Sequence, residues 1–170
     1  MPLLRASVET LGFKLTDIKM ILGSHAHGDH MQADAIVKEL TGGATLTAHF
    51  TPGHTRGCTT WTMRIPDGGR TYDVLIACGG LQDDARLVNN KNYPGIADDF
   101  AQSIKTYKTL RADVFLASHS WFFDLAGKYK RLGSGANPYI DPAGYTAWVA
   151  NMEKNWNSLM AEQTKNPPSN

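Results

Sequence analysis

The sequence predicts an α/β layered domain, and three features carry that reading. Helical and extended patterns alternate along the chain, the order that builds layers of helix on sheet. Four potential metal ligands crowd into His25-Ala26-His27-Gly28-Asp29-His30, directly behind the apolar run Ile18-Lys19-Met20-Ile21-Leu22. Two further histidines, His54 and His119, each follow a strand-like segment. At 170 residues the chain fits one domain, because domains commonly run to about 100–200 residues.

Residues 3–11 read as a short helix ended by Gly12, and residues 18–22 as a short buried strand. Residues 33–40 place Ala33, Ile36, Val37 and Leu40 on one helical face. Thr41-Gly42-Gly43 stops that helix. Residues 44–51 alternate and are rich in Thr, which predicts a strand, and Pro52-Gly53 turns the chain into His54. Residues 58–65 and 71–78 read as two strands around the hairpin signal Pro66-Asp67-Gly68-Gly69. A polar loop is expected from Gly79 through Pro94-Gly95. Residues 97–110 form an amphipathic helix with Phe100, Ile104, Tyr107 and Leu110 near one face. Residues 113–117 form a strand that delivers Ser118-His119. Residues 142–163 form a long helix with Trp148, Met152, Trp156 and Leu159 along one side, and Pro142 suits its first turn. The single domain therefore spans residues 1–165, and residues 166–170 are expected to be a flexible tail.

Composition excludes several classes. A net charge of +1 leaves no electrostatic footprint for nucleic acid or an anionic membrane surface. No stretch approaches the ~20 apolar residues of a membrane span. The start, Met1-Pro2-Leu3-Leu4-Arg5, lacks the basic region and apolar run of a signal peptide. Two cysteines permit at most one bridge. Pairing Ile65 with Thr71 around the hairpin turn would set Cys58 opposite Cys78, within reach of a disulfide. The favoured reading is nonetheless two buried thiols packing as small hydrophobes. A third reading makes Cys78 a metal ligand.

The chemistry points to metal. A loop at a strand end can aim several side chains at one place, because its backbone follows no regular period. Imidazole and carboxylate together suit zinc. His54 and His119 would point from the same sheet edge, where α/β folds place their sites. His49, inside the predicted strand 44–51, reads as an ordinary strand residue. Trp121, Phe122 and Phe123 read equally as a pocket wall or as core. No Gly-x-Ser-x-Gly elbow is present.

The set His25-x-His27-x-Asp29-His30, Gly53-His54-Thr55 and Ser118-His119 is similar to the ligand set of the metallo-β-lactamase superfamily. The run Leu11-Gly12-Phe13-Lys14-Leu15-Thr16-Asp17 and the run Asn137-Pro138-Tyr139-Ile140-Asp141-Pro142 resemble subclass B3. The resemblance covers residues 8–162. It implies an αβ/βα sandwich with two zinc ions per chain at the open edge between the sheets. His25, His27 and His54 would hold the first zinc, and Asp29, His30 and His119 the second. It further implies hydrolysis of the β-lactam amide bond by a metal-bound hydroxide, with Asp29 as the candidate catalytic acceptor from the bridging water. Antibiotic resistance and a periplasmic or secreted location follow from the same resemblance.

The chain departs from the family in three places. The stretch from His30 to His54 is short, and the N-terminal strands are missing, so the first sheet is expected to be incomplete. An exposed sheet face would then favour a homo-oligomer. Gly79-Gly80 stands where several B3 enzymes hold the substrate carboxylate with serines, so Asn89, Asn90 or Lys91 are the candidate substitutes. Ile76-Ala77-Cys78-Gly79-Gly80 has no bridging carboxylate, which favours a β-lactam substrate over thioester or lactone relatives. Two alternatives stand beside that reading: another hydrolase of the superfamily acting on a thioester or lactone, and a zinc-binding protein without catalysis.

Overall fold

The computed structural model describes residues 2–14 and 46–168. The sequence-predicted strand 18–22, the loop carrying His25, His27, Asp29 and His30, and the helix 33–40 lie outside the described residues. A first helix, α1, spans Pro2–Thr10. The strands are β1 (Thr47–Phe50), β2 (Thr59–Asp67), β3 (Arg70–Ala77) and β4 (Val114–Ala117). They form one sheet in the order β1-β2-β3-β4. The first three are antiparallel and β4 runs parallel to β3. A parallel neighbour needs a crossover; here it is the helix α2, Ile96–Thr109.

The hairpin between β2 and β3 is tighter than the sequence suggested. β2 continues through Pro66 to Asp67, and Asp67 pairs with Arg70. Gly68 and Gly69 have φ of 55° and 81°, the two positive values that a two-residue type I′ turn requires. Ile65 therefore pairs with Tyr72, one position beyond the predicted partner Thr71. The expectation of two free thiols is also overturned, because Cys58 and Cys78 form a disulfide with Cα atoms 5.6 Å apart. The cysteines lie just past the last ladder pair, Trp61 with Ile76, where strand gives way to loop and the backbones are free to approach. Cys78 is thereby removed as a metal ligand.

Helices cover one sheet face. The fourth helix of the described residues, α4, spans Pro142–Lys165, with Pro142 in its first turn as predicted. Its Trp148 ring stands 5.0 Å from Tyr107 of α2 and 4.8 Å from Phe115 of β4, centroid to centroid. Leu75, Ala77 and Phe115 from the strands meet Phe100, Ile104, Tyr145, Val149 and Met152 from the helices in one buried cluster. Phe115 is fully buried, and removing such a side chain from water stabilises by about 1.5–3 kcal/mol. The opposite face carries Trp61, Met63, Val74, Ile76 and Leu116, all half-buried. The segment after Gly79 is not the polar loop that was expected: Gly79, Gly80, Leu81 and Leu87 are buried, and Leu81 and Leu87 join the core.

Two elements were not foreseen. Residues Ser120–Phe123 form a 3-10 turn, and α3 follows at Leu125–Arg131. The side chain of Lys128, from α3, is 3 % exposed and pairs with Asp141 at 3.1 Å. Asp141 also caps α4 by accepting from the Gly144 amide at 2.8 Å. One carboxylate thus ties α3 to the start of α4. Arg86 donates to the Pro168 carbonyl at 3.3 Å, which fastens the end of the described chain. Among the described residues, no helix is long and apolar enough to cross a membrane.

Candidate metal centre

The loop that presents His54 is fixed from below by a chain of hydroxyls. Thr51, at the end of β1, shares a hydrogen bond of 2.8 Å with Thr60 of β2. Thr60 shares one of 2.9 Å with the Tyr107 hydroxyl of α2 and accepts from the Cys78 amide at 3.3 Å. All three side chains are buried, so each bond is made in surroundings where an unmet hydroxyl would cost about 1–3 kcal/mol. Ser103 of α2 donates to the Pro52 carbonyl at 2.6 Å. The Thr51 amide donates to the Cys58 carbonyl at 2.9 Å and closes the loop. The disulfide joins the same loop to the end of β3.

Two glycines make room for this geometry. Gly53 has φ of 132°, and a Cβ built on it would lie 2.7 Å from the Phe100 ring. A Cβ on Gly79 would lie 2.7 Å from the His54 ring. Backbone therefore packs directly against the imidazole on one side, which sets where the ring can stand.

His119 arrives from β4. The Ser118 amide donates to the Ala77 carbonyl at 3.2 Å and extends the parallel pairing by one residue. The chain then turns, with the Phe122 amide donating to the His119 carbonyl at 3.2 Å. The His119 ring lies nearly parallel to Trp121, with centroids 4.4 Å apart and planes 12° apart. It meets His54 edge-on, with centroids 5.9 Å apart. The two histidines named from the sequence thus converge at one end of the sheet. Their four partners, His25, His27, Asp29 and His30, lie outside the described residues. Among the described residues, no group of three or more His, Cys, Asp and Glu side chains could hold a metal ion.

The residues present fit zinc. Two imidazoles brought ring to ring are ordinary zinc donors. The Thr55 and Ser118 hydroxyls, each next in sequence to one of the histidines, are buried without a hydrogen-bond partner among the described residues. Buried polar groups beside metal ligands commonly orient the ligands through a further hydrogen bond.

His49 sits apart from this pair, with Nε2 at 2.8 Å from the Thr62 hydroxyl, in keeping with an ordinary strand residue. The loop with Asn89, Asn90 and Lys91 is moored beside the His54 loop. Arg56 donates to the Asn92 carbonyl at 2.9 Å and stacks over Tyr93 at 4.6 Å. Asn90 spends its side chain on the loop itself, donating to the Arg86 carbonyl and accepting from the amides of Asn92 and Tyr93. Asn89 and Lys91 are exposed.

Sequence reading passed over Tyr93 and the Thr51–Thr60–Tyr107 relay. Burial, with the Asp99 carboxylate that its hydroxyl meets at 2.6 Å, pushes the Tyr93 phenol up to about 12. Burial likewise pushes Tyr107 and Tyr145 up. These phenols stay protonated at neutral pH and serve as hydrogen-bond donors. The only advance signal was Thr at both ends of a strand pair, which also fits plain β propensity. A separate cleft of about 530 Å³, lined by Asp113, Arg111, Tyr145 and Glu153 among others, opens where β4 begins. It lies at the other end of that strand from His119.

No family model matches the chain. Solved structures do. The native FEZ-1 metallo-β-lactamase from Legionella gormanii is 33% identical over 96% of this chain and 82% of its own, with a TM-score of 0.85. BJP-1, a subclass B3 metallo-β-lactamase of Bradyrhizobium japonicum, is 27% identical over 98% of this chain and 81% of its own, with a TM-score of 0.83. The class B3 di-zinc metallo-β-lactamase LRA-12 from an Alaskan soil metagenome is 26% identical over 91% and 77%, with a TM-score of 0.74. With a shared helix-covered sheet, paired histidines at one sheet end and a third of its residues in common with the Legionella enzyme, the chain belongs to the subclass B3 metallo-β-lactamases, a family of hydrolases.

Proposed function

We propose that the chain hydrolyses the amide bond of β-lactams with two zinc ions. The convergence of His54 and His119 at one end of the sheet, with ring centroids 5.9 Å apart, carries the reading. His25, His27 and His54 are the ligands assigned to one zinc, and Asp29, His30 and His119 to the other. The chemistry that zinc supplies when bound is Lewis acidity, lowering the pKa of water from about 15.7 towards ~7 and polarising a carbonyl.

The chain's own residues supply position. The hydroxyl relay, the disulfide and Gly79 hold the His54 ring, while Trp121 stacks on His119. Asp29 is the side chain assigned to accept the proton from the attacking water. The polarity beside the site comes from the moored loop 89–93, where exposed Asn89 and Lys91 are the groups open to a substrate carboxylate. A disulfide that ties the site together fits an oxidising compartment, in keeping with a periplasmic or secreted protein.

The deciding experiment assays zinc-loaded protein against nitrocefin and S-lactoylglutathione in parallel. Nitrocefin turnover that EDTA abolishes and zinc restores supports the reading. Turnover of the thioester alone would move the substrate to another branch of the superfamily. Two bound zinc ions with neither substrate consumed would make the chain a zinc-binding protein without catalysis.

A further inference from the structure

The His119 side of the centre continues into an aromatic recess that the zinc reading leaves without a task. Trp121 is 67% exposed although it is a large hydrophobic residue. One ring face rests on His119, so the exposed area falls largely on the other. Two clefts of about 310 and 290 Å³ share Trp121, Phe122, Trp148 and Asn151 in their walls. The first also includes Leu81, Gln82 and Asp83, the residues directly after Gly79-Gly80. Gly80 shapes its floor, because a Cβ there would lie 2.9 Å from the Phe122 ring and 3.4 Å from Trp148.

We propose that this recess is a specificity subsite, in which the aromatic acyl substituent of a β-lactam packs against the open face of Trp121. The inference rests on the proposed β-lactam substrate. Three observations select the occupant. The recess starts at a residue stacked on an assigned metal ligand, so what fills it is attached to the molecule at the metal. Its size is at the bottom of the ~300–1,000 Å³ of drug-sized ligand pockets, which suits a substituent better than a whole ligand. Its wall is aromatic, with Gln82, Asp83, Asn151 and Asn155 as its polar side chains, and Asp83 accepts from Asn155 at 3.0 Å, a lining that favours a planar apolar group carried on an amide. Offset or edge contacts between such rings favour binding beyond the area they bury.

The test compares benzylpenicillin with 6-aminopenicillanic acid, which has the same nucleus and no aromatic group. In Trp121→Ala the ratio of kcat/KM for benzylpenicillin over 6-aminopenicillanic acid should fall about three- to ten-fold, mainly through KM, as expected for loss of one aromatic contact. Trp121→Phe should recover most of that ratio. Equal losses for the two substrates would overturn the proposal and leave Trp121 as a support for His119 only. Binding is read separately by titrating zinc-loaded wild type with benzylpenicilloic acid and following the indole N–H resonance that is absent in Trp121→Phe. A shift that the product of 6-aminopenicillanic acid does not cause supports the subsite, whether or not the chain turns over. No shift overturns it. Hydrolysis of neither penicillin would count against the β-lactam reading alone.

Discussion

Adding one methyl group at Gly53 should damage both the fold and the metal centre. The cost has two parts. The residue holds φ of 132°, a conformation that side chains rarely adopt, and holding a non-glycine residue there costs about 1–3 kcal/mol. The new Cβ would also sit 2.7 Å from Phe100 Cγ and Cδ1, where carbon atoms prefer about 3.5–4.0 Å. Phe100 is 4% exposed in the main core and has nowhere to retreat, so overpacking adds about 1–3 kcal/mol. Together Gly53→Ala should cost about 2–6 kcal/mol, against a total of about 5–15 kcal/mol for an ordinary domain. The middle of that range, about 4 kcal/mol, lowers the melting midpoint by roughly 8–16 °C for a chain of this size.

The same displacement reaches His54, the next residue. Relieving the contact moves the loop by about 1 Å, whereas metal–ligand distances tolerate about 0.2 Å. Zinc content should fall along with stability. Gly57→Ala provides the control, because a Cβ there meets nothing within 4 Å and the residue is exposed. Phe100→Leu opens space at the contact, so the double variant should lose at least about 1 kcal/mol less than the sum of the two single variants. Melting curves and elemental analysis of the four variants beside the wild type read all of this. A Gly53→Ala protein that melts within about 2 °C of wild type and keeps its zinc would refute the reasoning.

Three further outcomes follow from the same geometry. His54→Ala should lose zinc by elemental analysis while His49→Ala keeps it, since His49 is engaged with Thr62 and not with the histidine pair. Thiol titration of the denatured, unreduced protein should find no free thiol, and Cys58→Ser/Cys78→Ser should cost roughly 3 kcal/mol, the closure entropy of a loop of this length, measured by urea unfolding under matched conditions. Asp141→Asn should cost about 3–5 kcal/mol by leaving the Lys128 charge without its partner in a buried position. Burial raises the Asp141 pKa, but the Gly144 amide and Lys128 outweigh it and hold the carboxyl below its usual range. Its stabilisation is therefore complete above the unfolded carboxyl value near ~4 and fades as pH falls through the lower folded value. The variant should show a shallower loss of stability in that acid range, measured as denaturation midpoints against pH.

Much of the described fold could be read from local pattern. The long helix, predicted over residues 142–163, spans Pro142–Lys165, and the strand before His119 ends at Ala117 as predicted. Those segments have strong periodicity and clear ends, so local preference and tertiary packing agree. The segment 120–131 was not legible for a physical reason. Ser120–Phe123 is a 3-10 turn one residue longer than its own hydrogen-bond step, and α3 has seven residues, too short for a period to show. Its stability comes from contacts far away in sequence, chiefly Lys128 with Asp141. The buried course of residues 79–81 was likewise hidden, because two glycines carry no hydrophobic signal although backbone packing puts them in the interior.

The two cysteines show how a sound rule can lead to the wrong state. A turn centred on Pro66–Arg70 sets Cys58 opposite Cys78, and the reading of the pair as small buried hydrophobes then argues for free thiols. The premise fails at Pro66. Proline is poorly tolerated inside a sheet because it has no amide to donate, and the sequence reading placed Pro66 in the hairpin turn with Asp67-Gly68-Gly69. In the structure β1 pairs only with Thr59–Thr62 of β2. Beyond that point, among the described residues, β2 pairs with β3 alone, and Pro66 stands opposite Thr71. The two extra strand residues leave only Gly68 and Gly69 for the turn and slide the register by one. Cys58 and Cys78 are then diagonal neighbours past the end of the ladder, where a bridge is easily closed. The bridge falls beneath the His54 loop, so an error of one residue in a hairpin concealed a covalent support of the metal centre.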